Sequence, residues 1–273
     1  MYAFKYQRAG SLEAAAASLA AAPQAKLLAG GQSLIAAMKL RLADSGEIID
    51  LGKIKALSGI SVEGNTVTIG AMTRHAEVAA SAAVRAAIPA LAALAGGIAD
   101  RMVRNMGTIG GSVANNDPAA DYPAGLLALD ATVITNRRRI AADDFFTGLF
   151  EIALEAGEII TAVSFPVPAR AAYMKFKNPA SRFAIVGVFV AKLGAQLGTE
   201  QGGGVRVAVT GAAPVVFRVA AMEQALAGSF TPEAIANIVV PEDGLNSDMH
   251  AQADHRAHLI TVLAMRAVEA ALT

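Results

Sequence analysis

Two short stretches of this chain carry residue types that can hold an anion without a charged side chain. Ala29-Gly30-Gly31-Gln32-Ser33 follows the apolar run Lys26-Leu27-Leu28 and leads into a helical pattern. Thr108-Ile109-Gly110-Gly111-Ser112 offers the same chemistry near the middle of the chain. Adjacent glycines permit positive φ and close backbone approach, so successive N–H groups can converge on a ligand. Ser33, Thr108 and Ser112 add hydroxyl donors. Neither loop contains Lys or Arg, so backbone dipoles would do the holding, and two such loops suit a pyrophosphate met from both sides. A single Gly-Gly pair commonly makes a tight turn and nothing more. Two pairs flanked by hydroxyls, one of them on a strand–turn–helix, point to binding. A phosphate-binding P-loop pattern is absent, and no G-x-G-x-x-G follows the first strand.

Other chemistry is excluded by composition. The 273 residues include no cysteine, which removes disulfides, thiolate nucleophiles, Cys-ligated zinc and iron–sulfur clusters. His75, His250, His255 and His258 are the four histidines, too few and too scattered for an imidazole metal centre. Redox work by this chain would need an organic cofactor. Lys plus Arg and Asp plus Glu are both 23, so there is no electrostatic footprint for nucleic acid or an anionic membrane. No apolar stretch is long enough to span a bilayer. The alanine run after Lys5 and Arg8 is interrupted by Glu13 and stopped by Pro23, so it reads as a helix over 11–22 capped by Ser11. These features predict a cytoplasmic protein.

The loops need elements to position them. A strand over 26–29, a helix over 33–42 and a strand over 47–51 make a βαβ-like unit around the first loop. A hairpin follows around Gly64-Asn65, then a helical region over 74–105 broken near Pro89 and Gly96-Gly97. The stretch 107–112 is expected to be neither helix nor central strand. A short helix at 122–129 and strands at 132–134 and 159–165 precede Pro166-Val167-Pro168, the best candidate linker. Beyond it, strands over 185–192 and 205–210, with a turn at Gly202-Gly203-Gly204, are followed by helices over 221–227, 232–238 and 248–272. The expected domains are 1–170, with parts of about 1–55 and 56–170, and a smaller α+β domain at 171–273.

Leu28-Ala29-Gly30-Gly31-Gln32-Ser33-Leu34, backed by Met38-Lys39-Leu40-Arg41 and Ile49-Asp50-Leu51, resembles the FAD-binding medium subunits of molybdenum hydroxylases. That family includes the flavoprotein subunits of bacterial carbon monoxide, nicotine and xanthine-type dehydrogenases. Its second signature is matched from Arg104 through Gly107-Thr108-Ile109-Gly110-Gly111-Ser112-Val113-Ala114-Asn115 to Asp117-Pro118-Ala119-Ala120-Asp121. The likeness covers nearly the whole chain. It implies an α+β fold: a two-part FAD-binding domain of the PCMH/vanillyl-alcohol-oxidase type, then a C-terminal domain of the CO dehydrogenase flavoprotein type.

By the same resemblance FAD would be held by Lys26, Leu27, Leu28, Ala29, Gly30, Gly31, Gln32 and Ser33, then by Thr108, Gly110, Gly111 and Ser112. Ile109 and Ala114 would line the flavin and ribose, and Ile160 the adenine side. Asp121 would bond the ribose or adenine end; read on its own, it is also an N-cap for the helix at Tyr122. Lys175 or Lys177 would stand near the isoalloxazine, where a cation adjusts the flavin potential. Phe183 falls where relatives carry a tyrosine or aliphatic residue over the ring. A side chain at Gly31 or Gly110 would meet the diphosphate. His75 reads as a satisfied polar residue, the C-terminal histidines as structural or interfacial, and Arg137-Arg138-Arg139 as a solvated loop or a partner contact.

The implied activity is electron transfer. Electrons from a large molybdenum-cofactor subunit would pass through a small [2Fe-2S] subunit to FAD here, then to NAD, oxygen or a quinone. A self-contained oxidase or reductase on the same scaffold is the alternative, and a redox-inactive nucleotide-binding protein is a third. No catalytic acid or base announces itself.

Overall fold

The computed structural model describes residues 1–194 and 204–273. It opens with β1 (Lys5–Arg8), α1 (Leu12–Ala21), β2 (Lys26–Leu28), α2 (Leu34–Lys39) and β3 (Glu47–Asp50). The three strands form a parallel sheet in the order β1-β3-β2. Parallel neighbours need crossovers, which α1 and α2 supply. Ser11 caps α1 through Ala14 N–H, as its position before the alanine run predicts. Helix α2 stops at Lys39, short of Leu42, because Arg41 takes a φ of 60°.

The second sheet is antiparallel, in the order β4-β5-β10-β6-β7. Its hairpin joins β4 (Ile60–Glu63) to β5 (Thr66–Gly70). The helical stretch that follows is broken more often than expected, into α3 (His75–Ala80), α4 (Ala82–Ala87), α5 (Pro89–Gly97) and α6 (Arg101–Arg104). Ser81 ends α3 and caps α4, and Asp100 caps α6. Then come α7 (Ile109–Asn115), α8 (Tyr122–Ala128), β6 (Thr132–Thr135), β7 (Arg139–Ala141) and α9 (Ala142–Phe145). A two-stranded ribbon, β8 (Phe146–Gly148) with β9 (Glu151–Ile152), precedes the central strand β10 (Ile160–Pro166).

The stretch expected to be non-helical contains α7, and this corrects the sequence reading. Thr108 is its N-cap and accepts from Gly111 N–H, which offsets the poor helix propensity of Gly110 and Gly111. Gly110 is required there by contact: a Cβ would lie 2.5 Å from Ala71 Cβ and 2.8 Å from its carbonyl oxygen.

Past Pro168 an antiparallel sheet runs β11 (Arg170–Lys177), β12 (Ala184–Lys192), β13 (Val205–Thr210) and β14 (Phe217–Arg218). Strand β11 is not among the strands expected from the sequence, although Met174-Lys175-Phe176-Lys177 alternates apolar and charged residues. Strand β12 is buried on both faces apart from Lys192. Phe189 and Ala191 point into the core shared with α5 and α8, while Val186, Val188 and Val190 point into a second core under the last helix. Helices α10 (Ala220–Gly228) and α11 (Ala253–Leu272) cover that second face. The 232–238 segment forms only a 3-10 turn over Pro232–Ile235. Helix α11 begins at Ala253, not Asp248, because the Asp248 carboxylate turns the chain by accepting from His250 and Ala251 N–H. Of the turn at 202–204, only Gly204 falls within the described residues. Among the described residues no helix is long and apolar enough to cross a membrane.

Candidate functional site

A cleft of about 960 Å³ lies where the two glycine loops meet, between the parallel sheet, the antiparallel sheet and the β11–β12 connection. Its walls include Lys26 to Leu34 on one side and Gly107, Thr108, Gly110, Gly111, Ser112 and Ala114 on the other. Asp121, Ile160 and Phe183 also reach it. The fold thus gathers the predicted residues, Ile109, Lys175 and Lys177 excepted, in one place.

The loops touch each other. A Cβ on Gly30 would lie 2.2 Å from Met106 carbonyl oxygen and 2.7 Å from Gly107 Cα, so this approach needs glycine. Gly31 sits at a φ of 71°, a conformation that also favours glycine. Neither Gly31 nor Gly110 would present a Cβ to a ligand, contrary to expectation. At Gly31 it would meet Ile35 and Leu28 side chains, and at Gly110 it would meet Ala71.

The two loops differ in what their amides do. In the second, Ile109 N–H donates to Thr73 O, Gly110 to Ala71 O, Gly111 to Thr108 Oγ1 and Ser112 to Thr108 O. All four are engaged by the fold. In the first loop no amide from Ala29 to Ser33 donates to any partner among the described residues. Gln32 folds back instead, giving its side-chain N–H to Gly30 O. A run of open amides on a bend is the arrangement that accepts a phosphate oxygen.

Asp121 does not cap α8 with its side chain. The carboxylate is 4% exposed and is held by Lys175 Nζ at 2.9 Å and Tyr173 hydroxyl at 2.5 Å. Burial pushes its carboxyl pKa up, against the pull of the Lys175 charge and the Tyr173 hydrogen bond. Lys175, 8% exposed, also donates to Gly97 O and Arg182 O. Its three N–H donors therefore have three acceptors, and it does not line the cleft. Lys177 is exposed on β11. Ile109 is completely buried in the main core and lies behind the wall.

Several residues outside the sequence reading build this site. Asn116, at a φ of 42°, donates its amide to Gly148 O and Glu151 O and so fixes the β8–β9 ribbon that presents Phe150 to the cleft. Thr210 hydroxyl and Gly211 N–H, from the C-terminal sheet, pin the 117–120 turn through Pro118 O. Arg138 is not a free loop cation: it forms a two-point pair with the buried Glu158, which lines the cleft beside Ile159 and Ile160. Arg138 and the Thr135 hydroxyl hold Glu158 at a pKa of about 2. His75, expected to be satisfied, is 5% exposed and its Nδ1 has no partner. Burial and the nearby Arg104 charge lower its pKa to about 4, so it is neutral at pH 7.

The C-terminal histidines stand elsewhere. His250 Nδ1 is 3.4 Å from Asn178 Nδ2, and His255 meets Phe176 edge-on at 6.2 Å. His258 is exposed on α11.

Residues 2–168 match the family model described as the FAD binding domain in molybdopterin dehydrogenase, and residues 171–271 match the CO dehydrogenase flavoprotein C-terminal domain. The chain is 37% identical to the carbon monoxide dehydrogenase medium chain of Hydrogenophaga pseudoflava, over 90% of this chain and 89% of that one. It is 35% identical to the nicotine 6-hydroxylase medium subunit of Paenarthrobacter nicotinovorans, covering 97% of this chain and 96% of the relative. A solved structure of the Hydrogenophaga pseudoflava carbon monoxide dehydrogenase superposes with a TM-score of 0.88 at 36% identity, covering 99% of this chain and 98% of that one.

Proposed function

The chain belongs to the FAD-binding medium-subunit family of molybdenum hydroxylases, and from that premise we propose that it is the electron-transfer subunit of such a complex. It is an oxidoreductase subunit whose cofactor is FAD. Its partners, on this reading, are a small [2Fe-2S] subunit that delivers electrons and a large subunit that carries the molybdenum cofactor. NAD, oxygen or a quinone takes the electrons away. The chain has no cysteine with which to hold a cluster of its own.

The observation that carries the cofactor assignment to residues is the run of open amides from Ala29 to Ser33 facing a cleft that also contains the Gly30–Met106 close contact. The residues present fit FAD. Open backbone donors suit its diphosphate, and the apolar wall of Leu27, Leu154, Ile159 and Ile160 suits a planar aromatic base. When bound, FAD supplies the redox chemistry that no side chain here can supply. The chain's own residues bind and orient it. Thr108, Gly111, Ser112 and Ala114 form the facing wall, and Phe183 with Phe150 stands at the mouth. Lys175 acts through Asp121: it ties that carboxylate to the Gly97 turn and to Arg182, and so fixes the loop that carries Phe183. We read 1–170 as the FAD-binding domain and 171–273 as the domain that completes its cleft.

Two mixing experiments separate this function from a self-contained flavoenzyme. The FAD-loaded chain should be bleached on mixing with a reduced [2Fe-2S] subunit of its complex and reoxidised by one of the three acceptors. Substrate turnover by the FAD-loaded chain without partners would transfer the assignment to the alternative.

A further inference from the structure

Among the described residues of the cleft, His75 is the one polar side chain that is buried, uncharged and unpartnered at a ring nitrogen. The residue is 5% exposed yet lines the cleft, and its place there is made by a missing side chain. A Cβ on Gly107 would lie 2.6 Å from His75 Nε2 and 2.8 Å from Cδ2, so the ring fits only beside glycine. The backbone is tied to the same spot, because His75 N–H donates to Gly107 O and Arg74 bridges to Thr108. The Nε2 edge therefore abuts the second glycine loop, in the wall of the cleft.

The tautomer follows from burial. Nδ1 is sealed from solvent and has no partner among the described residues, and the neighbouring Tyr122 hydroxyl is buried and unpartnered as well. The two rings are tilted against each other with centroids 5.4 Å apart. A buried N–H without an acceptor is rarer than an unpaired acceptor. The proton of the neutral ring therefore sits on Nε2, which makes that edge a donor. The amides of the adjacent loop, Ile109 to Ser112, already have acceptors within the fold.

We propose that His75 is a binding residue of the cofactor site, donating a hydrogen bond from Nε2 to the diphosphate of bound FAD. It supplies from the second loop's side what the open amides of Ala29 to Ser33 supply from the first. Arg104, the charged neighbour, has its guanidinium engaged by Ile98 O and Ala99 O. A neutral donor suits this position, since an imidazolium would face that charge. The inference rests on the reading that this cleft binds FAD.

The test uses the full chain, stripped of flavin and titrated with FAD. His75→Leu keeps the volume and removes the donor, and should weaken FAD binding on the order of tenfold, as expected for one hydrogen bond to a charged group. His75→Gln, which restores an N–H, should recover most of that affinity. In the unsubstituted chain labelled with ¹⁵N-histidine, His75 should show the Nε2–H tautomer, and its Nε2–H proton should move downfield when FAD binds. Equal affinity in His75→Leu, an Nδ1–H tautomer, or nitrogen and proton signals unmoved by FAD would each overturn the proposal. If His75→Leu does not fold, the signals of the unsubstituted chain decide alone. Failure of the unsubstituted chain to take up FAD would instead count against the reading of the cleft.

Discussion

The two glycine loops look alike in sequence and differ in what the fold asks of them. Both are Gly-Gly with flanking hydroxyls, and both border the same cleft. The first is half-exposed, and its amides from Ala29 to Ser33 are open. The second is buried from Gly107 to Gly110, and its amides from Ile109 to Ser112 are engaged by Thr73, Ala71 and Thr108. A glycine can serve a ligand or serve packing, and its neighbours' hydrogen bonds distinguish the two. On the proposed reading the first loop is the binding surface, and the second is a wall that holds it in place.

That difference can be challenged by substitution. Lys175→Met should have the largest effect, because it leaves the Asp121 carboxylate buried without its cation. A loss of roughly 3–5 kcal/mol is expected from urea denaturation, and pairing it with Asp121→Asn should recover much of that. Gly110→Ala tests the wall directly. Overpacking against Ala71 should cost about 1–3 kcal/mol of stability, with FAD affinity of the folded fraction little changed. A stable Gly110→Ala protein that has lost FAD would erase the distinction between the loops. Gln32→Pro deletes one open amide just ahead of α2, where proline is tolerated. It should leave stability within about 0.5 kcal/mol and weaken FAD binding by about tenfold.

A further effect concerns pH and sharpens the account of the wall. Glu158 has a folded pKa of about 2, below its ordinary 4.5, so its pairing stabilises the fold above pH 4.5 and is lost as pH falls toward 2. Arg138→Met should therefore flatten stability-versus-pH curves in that window. His75 titrates near 4 in the fold against an ordinary 6.5. The unfolded chain binds the extra proton between those values, so stability should fall as pH drops from 6.5 to 4. His75→Gln should remove that part of the slope, as read by thermal unfolding across the range.

Local signals make several turns and the two glycine loops legible in the sequence, while Asp121, Ile160 and Phe183 are placed near the cleft only by resemblance. Ser11 before an alanine run, Gly64-Asn65 between alternating apolar residues and Gly30-Gly31 after Lys26-Leu27-Leu28 each fix a turn within a few residues. What stayed hidden depends on partners distant in the chain. Helix α7 forms despite its glycines because Thr108 caps it, and it carries glycine at 110 because Ala71, some forty residues earlier, leaves no room for a Cβ there. Lys175 could be placed near the site by resemblance, but its role follows from Asp121, Gly97 and Arg182, which only the fold brings together. Arg138 reads as a loop cation until Glu158 is seen opposite it. Burial is likewise invisible in a lone histidine: His75 meets Gly107 only because helices α3 to α6 bring the chain back beside it.

Hydrogen exchange of the backbone amides, read with and without saturating FAD, tests the central claim most directly. The account predicts that the amides from Ala29 to Ser33 exchange fast in the flavin-free chain and become protected on binding. Those of Ile109 to Ser112 should be protected in both states. Protection that appears at the second loop while the first stays fast would contradict it.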